Sequence, residues 1–164
     1  MSPYSRLDDE EAESPPMGEP NAFLEEALFK ARTILLTGGI DFKQAKRVCE
    51  RLLALSSANP KEPILLVISS PGGHVESGDM IHDMIKFVSA PVKVLGTGWV
   101  ASAGALIYSA AKKENRFALK NTRFLLHEPR GGVGGQATDV EIQAREILKM
   151  RERLNQIFAD ATGK

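Results

Sequence analysis

The sequence is poor in cysteine and has no net charge, and these two shortages exclude several classes of protein. The single cysteine, Cys49, excludes a disulfide within the chain and fits a reducing compartment. It lies among apolar positions at helical spacing, so we expect a core thiol rather than a nucleophile. Lys and Arg together number 21, as do Asp and Glu. Overall charge therefore indicates neither a nucleic-acid-binding nor a membrane-surface protein.

The sequence also lacks an apolar run long enough to cross a membrane. Its N-terminus is acidic, unlike a signal peptide, which is basic and then apolar. We therefore expect a cytoplasmic protein. With 164 residues, of which 43% are hydrophobic, the chain is long enough for one globular domain with a substantial core.

Charge and proline are distributed unevenly along the chain. Residues 1–20 hold six acidic residues, one arginine and four prolines, but almost no large apolar residue. Six negative charges and one positive charge give −5 in this segment, which leaves +5 for the remainder. We expect residues 1–20 to form a disordered acidic tail and residues 21–164 to form the domain.

Apolar runs and helical periodicities alternate within the domain. The run Ile64–Ile68 is continuous, as in a strand buried on both faces of a parallel sheet. The whole pattern predicts strands near 33–36, 64–68, 92–95 and 123–126, and helices near 22–31, 42–57, 77–88, 106–111 and 137–161. This alternation indicates an α/β domain with a largely parallel sheet.

Segments that follow predicted strands carry side chains suited to acyl transfer. Ligands bind at the carboxyl ends of strands in open α/β sheets, so Ser102 and His127 should share one cleft. Ser102 stands at a strand-to-helix turn among small residues, and His127 is a natural general base for it. Gly72 and Gly73 offer unhindered N–H groups for an oxyanion. Each feature has an ordinary structural explanation, namely a helix start, a structural histidine or a turn, and only their convergence favours a site.

Other polar residues do not indicate a metal or a cofactor. His74 and His82 lie near Glu76 and Asp79, but their spacing matches no ligand motif, so we expect a solvated helix start and no metal. The glycine-rich segment 131–135 lacks both the G-x-G-x-x-G pattern and a P-loop lysine. We therefore expect no cofactor.

Six short motifs follow one another in a specific order between about residues 23 and 164. They are Ile68-Ser-Ser-Pro-Gly-Gly73, Ala101-Ser-Ala-Gly-Ala105, Arg116-Phe-Ala-Leu119, Leu126-His-Glu-Pro129, Gly135-Gln-Ala-Thr-Asp-Val-Glu-Ile142 and Glu146-Ile-Leu-Lys-Met150. This set resembles the proteolytic subunit of the Clp protease, a serine endopeptidase of the Clp/crotonase fold. The resemblance implies a largely parallel sheet, repeated β-β-α units and a protruding "handle" helix from about Ala137.

The resemblance also implies a role for each candidate residue. Ser102 would be the nucleophile and His127 the general base, and the N–H groups of Gly73 and Ala103 would bind the oxyanion. A peptide substrate would add as a strand. It would contact Gly72, His74, Val75, Gly131, Gly132, Gly134 and Gly135. The handle would interlock two stacked heptameric rings of identical subunits into a chamber, which unfolded polypeptides would enter from a ring ATPase.

The chain departs from the family pattern in three respects. The family's acidic triad member lies beyond the handle helix, and no carboxylate after His127 matches it, so either the sequence is a fragment or the site lacks this group. Its loss costs about 10⁴ in rate in a serine protease. The acidic tail replaces an apolar segment, which puts docking of the usual ATPase in question. Trp99 and Ala103 replace other residues, which alters the pocket but leaves the Ala103 N–H in place.

Two other functions are compatible with these observations. The missing acid favours a non-catalytic structural subunit of the same ring assembly. A crotonase-like acyl-CoA enzyme would use oxyanion-binding N–H groups without a Ser/His pair, and the presence of Ser102 and His127 at strand ends argues against it.

Overall fold

Five parallel strands form the sheet at the centre of the computed structural model, which describes residues 21–128 and 134–164. The strands are β1 (Thr33–Thr37), β2 (Ile64–Ser70), β3 (Val92–Ala101), β4 (Arg116–Ala118) and β5 (Arg123–Leu125). The helices are α1 (Ala22–Lys30), α2 (Phe42–Ala58), α3 (Val75–Phe87), α4 (Ala103–Ser109) and α5 (Ala137–Thr162), with a short 3-10 turn at Lys113–Asn115. Elements were thus predicted at nearly the right places, except for β4 and the 3-10 turn.

The strand order is β1-β2-β3-β4, and β5 also pairs with β3. Every pair is parallel, as the sequence predicts. The apolar run in β2 occupies the middle of the core, where Ile64, Leu66 and Ile68 are fully buried. Because parallel strands end at the same edge, the carboxyl ends of β2, β3 and β5 lie together.

Helix α2 buries the apolar face that its amphipathic sequence pattern predicts. The Asp41 carboxylate accepts a hydrogen bond from the Gln44 N–H at 2.7 Å and caps the first turn. The apolar face, which includes Val48 and Leu52, is buried against the sheet. Cys49 is buried as expected, and burial, with a smaller contribution from Glu50, raises the pKa of its thiol to about 11. It is a core residue and not a nucleophile.

Strand β3 is longer than the sequence predicts. The prediction ended the strand at Leu95 and assigned residues 96–102 to a loop, whereas β3 continues to Ala101. The second half of β3 gains a partner of its own, because Trp99 to Ala101 pair in register with β5. Its register against β2 shifts between Ile68 and Ser70, and Gly98 has a φ of 59°. The strand therefore delivers the backbone directly to Ser102.

Helix α5 contacts the domain through its C-terminal half. Leu154 is the buried residue of this helix, and the Arg116 guanidinium donates a hydrogen bond to the Ala161 carbonyl at 2.8 Å. The N-terminal half is exposed and carries apolar side chains that include Ile142 and Leu148. Gly163, with a φ of 74°, ends the helix in the left-handed conformation.

Some predictions concern residues outside the described ranges. These are the disordered tail, residues 1–20, and the substrate contacts of Gly131 and Gly132. In the part of the chain that is described, no helix combines the length and the apolar composition needed to span a bilayer.

Candidate active site

Ser102 lies at the junction between β3 and α4 in a strained conformation. Its φ is 53° and its ψ is −121°, a region that non-glycine residues rarely adopt. Its N–H donates to the Leu125 carbonyl at 2.9 Å, and its carbonyl accepts from the Leu106 N–H at 3.1 Å. The backbone of β5 and the first turn of α4 thus hold the serine in place.

The pairing of β3 with β5 brings His127 to the same edge. Ala101 pairs with Leu125, so Ser102 and His127 stand one and two residues beyond this pair. Both side chains line one cavity. The sequence prediction that these two residues share a cleft agrees with this geometry.

A backbone carbonyl selects the tautomer of His127. Its Nδ1 lies 2.9 Å from the carbonyl oxygen of Glu128. A carbonyl only accepts hydrogen bonds, so Nδ1 carries a proton, and in the neutral ring Nε2 then presents the lone pair. This is the tautomer that can take a proton from a serine hydroxyl. Within residues 21–128 and 134–164, the ring makes no hydrogen bond to a carboxylate or to Ser102.

The turn after β2 packs directly against Ser102. A Cβ built on Gly72 would lie 2.6 Å from the Ser102 Cβ, and Gly72 has a φ of 100°, so only glycine fits here. The Ser70 hydroxyl shapes this turn, because it donates to the Gly38 carbonyl at 2.6 Å and accepts the Gly72 N–H at 3.0 Å. Ser70 is a supporting residue that the sequence analysis did not identify.

Two N–H groups near Ser102 are available to bind an anion. Ile40 holds both neighbours of Gly73, since its N–H donates to the Gly72 carbonyl at 2.9 Å and its carbonyl accepts the His74 N–H at 2.8 Å. In the described part of the chain, the Gly73 N–H itself has no protein acceptor. The Ala103 N–H belongs to the first residue of α4, where a helix provides no acceptor. These are the two groups that the resemblance assigns to the oxyanion.

The cavity beside Ser102 is apolar, and three elements form its walls. Val75 comes from α3, Leu106 from α4, and Leu154 and Phe158 from α5, with Ala103, Leu126 and His127 completing the lining. Helix α5 was predicted, but its position next to Ser102 was not. That position depends on how α5 packs against the domain, which periodicity does not encode.

The other predicted substrate residues in the described part of the chain differ in whether they line this cavity. His74 is the N-cap residue of α3, and its ring interacts with Ser77 at 3.0 Å and Glu76 at 3.2 Å. Val75 begins α3 and lines the cavity. Gly134 and Gly135 are exposed and precede α5.

The family model described as Clp protease matches residues 18–164 of this chain. The chain belongs to the Clp protease family. It is 57% identical over 164 residues to ATP-dependent Clp protease proteolytic subunit 2 of Gluconobacter oxydans, an alignment that covers 99% of this chain and 71% of that protein. It is also 57% identical over 162 residues to ATP-dependent Clp protease proteolytic subunit 3 of Rhizobium meliloti, with 97% and 81% covered.

The fold is similar to solved structures of this family. A mutant of ClpP1 from Listeria monocytogenes superposes with a TM-score of 0.79 at 52% sequence identity, covering 86% of this chain and 78% of that chain. The predicted resemblance and fold class are therefore confirmed. So is the prediction that the chain is a serine-type peptidase subunit of a compartmentalised protease.

Proposed function

We propose that Ser102 and His127 are the catalytic pair of this Clp protease subunit. The observation that carries the proposal is their position on one cavity, with the serine at a strained turn and Nδ1 of the histidine hydrogen-bonded to a backbone carbonyl. Serine is a weak nucleophile at its own pKa, so it needs a base at this position. Hydrogen bonds between such groups often tighten only when substrate is bound.

The proposed reaction proceeds through an acyl-enzyme. The Ser102 hydroxyl transfers its proton to His127 Nε2 while Oγ attacks the peptide carbonyl carbon. The N–H groups of Gly73 and Ala103 bind the resulting oxyanion. His127 then gives the proton to the leaving amine, the C–N bond breaks, and a water molecule hydrolyses the ester with His127 again acting as base.

The proposed substrates are unfolded polypeptides, bound in an extended form. The turn at Gly72, with His74 and Val75, forms one side of the binding site, and Gly131, Gly132, Gly134 and Gly135 form the other. Strand addition uses backbone hydrogen bonds, which any extended sequence can make. An apolar cavity next to Ser102 supports this role, because its walls suit a small apolar side chain of the substrate.

The proposed assembly is a pair of stacked heptameric rings in the cytoplasm, joined through α5. The exposed apolar residues on its N-terminal half support a role as a contact surface. Because the curated relatives are named as subunits of an ATP-dependent protease, we propose a ring ATPase as the partner that unfolds and delivers substrates.

Degradation of a permanently unfolded protein tests the proposal. The purified chain should cleave reduced and carboxymethylated lactalbumin, and Ser102→Ala and His127→Gln should each abolish cleavage while keeping the native circular dichroism spectrum. If the variants retain the cleavage rate, the assignment is wrong. If the unchanged chain assembles but does not cleave, the non-catalytic subunit is the better account.

A further inference from the structure

An ion pair ties α5 to α3 beside the cavity. Nη1 and Nη2 of Arg153 donate to the two carboxylate oxygens of Asp79, each at 2.6 Å. The side chain of Asp79 is 19% exposed and that of Arg153 is 47% exposed, so water screens the pair only in part. Because the contact is bidentate, it fixes both the separation and the relative orientation of the two helices.

The face of α3 that meets Arg153 is acidic. Glu76, Asp79 and Asp83 occupy positions i, i+3 and i+7 of this helix and therefore lie on one side. The pKa of the Arg153 guanidinium is raised chiefly by its hydrogen bond to Asp79, with smaller contributions from Asp83 and Glu76, while burial acts in the opposite direction. The carboxylates that interact with the Arg153 guanidinium thus all belong to α3.

Each partner of the ion pair adjoins a wall of the cavity. Val75 lies one turn before Asp79 on α3, and Leu154 directly follows Arg153 on α5; both line the cavity together with Ser102. The cavity has a volume of about 20 Å³. That is room for about one water molecule. A large substrate side chain therefore enters this cavity only if its walls move apart, and α3 and α5 form two of these walls.

We propose that the Arg153–Asp79 pair sets substrate specificity by holding these two walls together. The inference rests on the proposed function, because it concerns the residue on the N-terminal side of the bond that Ser102 cleaves. The intact pair favours a small apolar residue, such as alanine, at this position. Without the pair, the walls separate more easily and a leucine is accepted. Arg153 and Asp79 are positioning residues, since neither lines the cavity.

Peptide substrates that differ only in this residue, alanine or leucine, test the proposal. In Arg153→Met and Asp79→Asn, the ratio of kcat/KM for leucine to that for alanine should rise roughly fivefold, the size expected for a partly exposed ion pair. The change should come from a lower KM for the leucine peptide, with kcat for the alanine peptide unchanged. Arg153→Lys keeps the positive charge but loses the planar guanidinium that makes two parallel hydrogen bonds. It should therefore raise the leucine-to-alanine ratio of kcat/KM by less.

Lys46→Met is the matched control, because it removes one exposed ion pair on α2, away from the cavity. Its ratio should equal that of the unchanged chain. An unchanged ratio in Arg153→Met, or an equal fall for both peptides, would overturn the proposal.

A second measurement does not depend on catalysis. Hydrogen–deuterium exchange should speed up in residues 147–158 of α5 in Arg153→Met and Asp79→Asn, but not in Lys46→Met. Failure of the unchanged chain to cleave any peptide would count against the proposed function. Unchanged exchange in the two variants would count against the ion pair as a positioning device, whatever the activity.

Discussion

Ser102 adopts a backbone conformation that its own side chain opposes. At a φ of 53° and a ψ of −121°, the Cβ crowds the backbone, and such residues cost of order 1–3 kcal/mol. The surrounding structure maintains this conformation through the hydrogen bond from Ser102 to Leu125 and through α4. This conformation places Ser102 at the end of β3, the position from which we propose that it acts as the nucleophile.

Replacing Ser102 by glycine and by alanine separates strain from chemistry. Both variants should be inactive, but Ser102→Gly should have a free energy of unfolding about 1–2 kcal/mol higher than that of Ser102→Ala, because glycine adopts positive φ without crowding. Urea unfolding followed by circular dichroism measures the difference. Equal stability of the two variants would show that the turn carries no strain.

Gly72 is the residue whose replacement should disturb the site most directly. In Gly72→Ala, the new Cβ meets the Ser102 side chain and the φ of 100° is unfavourable, so the serine must shift. A displacement of about 1 Å costs on the order of 100-fold in rate, and we expect kcat/KM for a peptide substrate to fall by about that factor.

Gly39→Ala is the control for this effect, since a Cβ at Gly39 has no atom within 4 Å. Its kcat/KM should stay within about twofold of the original. Comparable losses in both variants would mean that the contact between Gly72 and Ser102 does not matter for the reaction.

At the level of elements, Arg32 connects three parts of the fold from the start of β1. Its guanidinium donates to the carbonyls of Leu55 and Asn59 at the end of α2, each at 3.0 Å, and to those of Glu62 and Pro63 before β2 at 2.8 and 3.2 Å. Arg32 is buried, at 9% exposure. One side chain thus bonds to four carbonyls, one of which, that of Leu55, is in a buried residue.

Loss of this side chain should destabilise the domain. We expect Arg32→Met to lower the free energy of unfolding by about 2–4 kcal/mol, because one buried and three partly buried carbonyls lose a charged donor. Arg32→Lys should recover little, since an ammonium group does not reproduce the planar fork. Lys30→Met, at an exposed residue of α1, should change the value by less than about 0.5 kcal/mol. A small effect of Arg32→Met in urea unfolding would contradict this assignment.

The sequence predicts these elements well where their signal is local. The 3.6-residue period of α2 and the apolar run of β2 suffice to define them. The second half of β3 was predicted as a loop because its order depends on pairing with β5, a contact that local composition does not reveal. Strand β4 has only three residues, which is too short for a periodic signal.

The features of the candidate site likewise separate into those with a local sequence signal and those that depend on packing. Ser102, His127 and the glycine pair were predicted as candidates because strand ends, small residues and motif order are visible in the sequence. The contact of Gly72 with Ser102, the support from Ser70 and the α5 wall of the cavity were not, since each depends on packing between distant segments. The tautomer of His127 likewise required the geometry of the Glu128 carbonyl.

For the whole molecule, α5 is the element that points beyond the subunit. Its C-terminal half contributes Leu154 and Phe158 to the cavity, while its N-terminal half exposes Val140, Ile142 and Leu148. A helix that is apolar on an uncovered face favours association. If rings stack through α5 as proposed, one helix contributes both to the contact between rings and to the wall of the cavity beside Ser102.

Sedimentation velocity tests the role of α5 in assembly. The unchanged chain should sediment as a double ring, whereas Ile142→Asn combined with Leu148→Asn should sediment as a particle of half that mass, because polar side chains weaken an apolar contact. Leu53→Asn removes an exposed leucine from α2 and should leave the mass unchanged. A double ring that survives the α5 substitutions would contradict stacking through this surface.

Reaction with a fluorophosphonate probe, followed by intact mass spectrometry, tests the central claim most directly. The probe forms a bond only with a serine whose hydroxyl is activated by a base. If Ser102 and His127 form a working pair, the chain gains one probe mass on Ser102, and both Ser102→Ala and His127→Gln lose this gain. If the unchanged chain remains unlabelled, Ser102 and His127 do not form a working pair in this chain; if Ser102→Ala is still labelled, Ser102 is not the nucleophile.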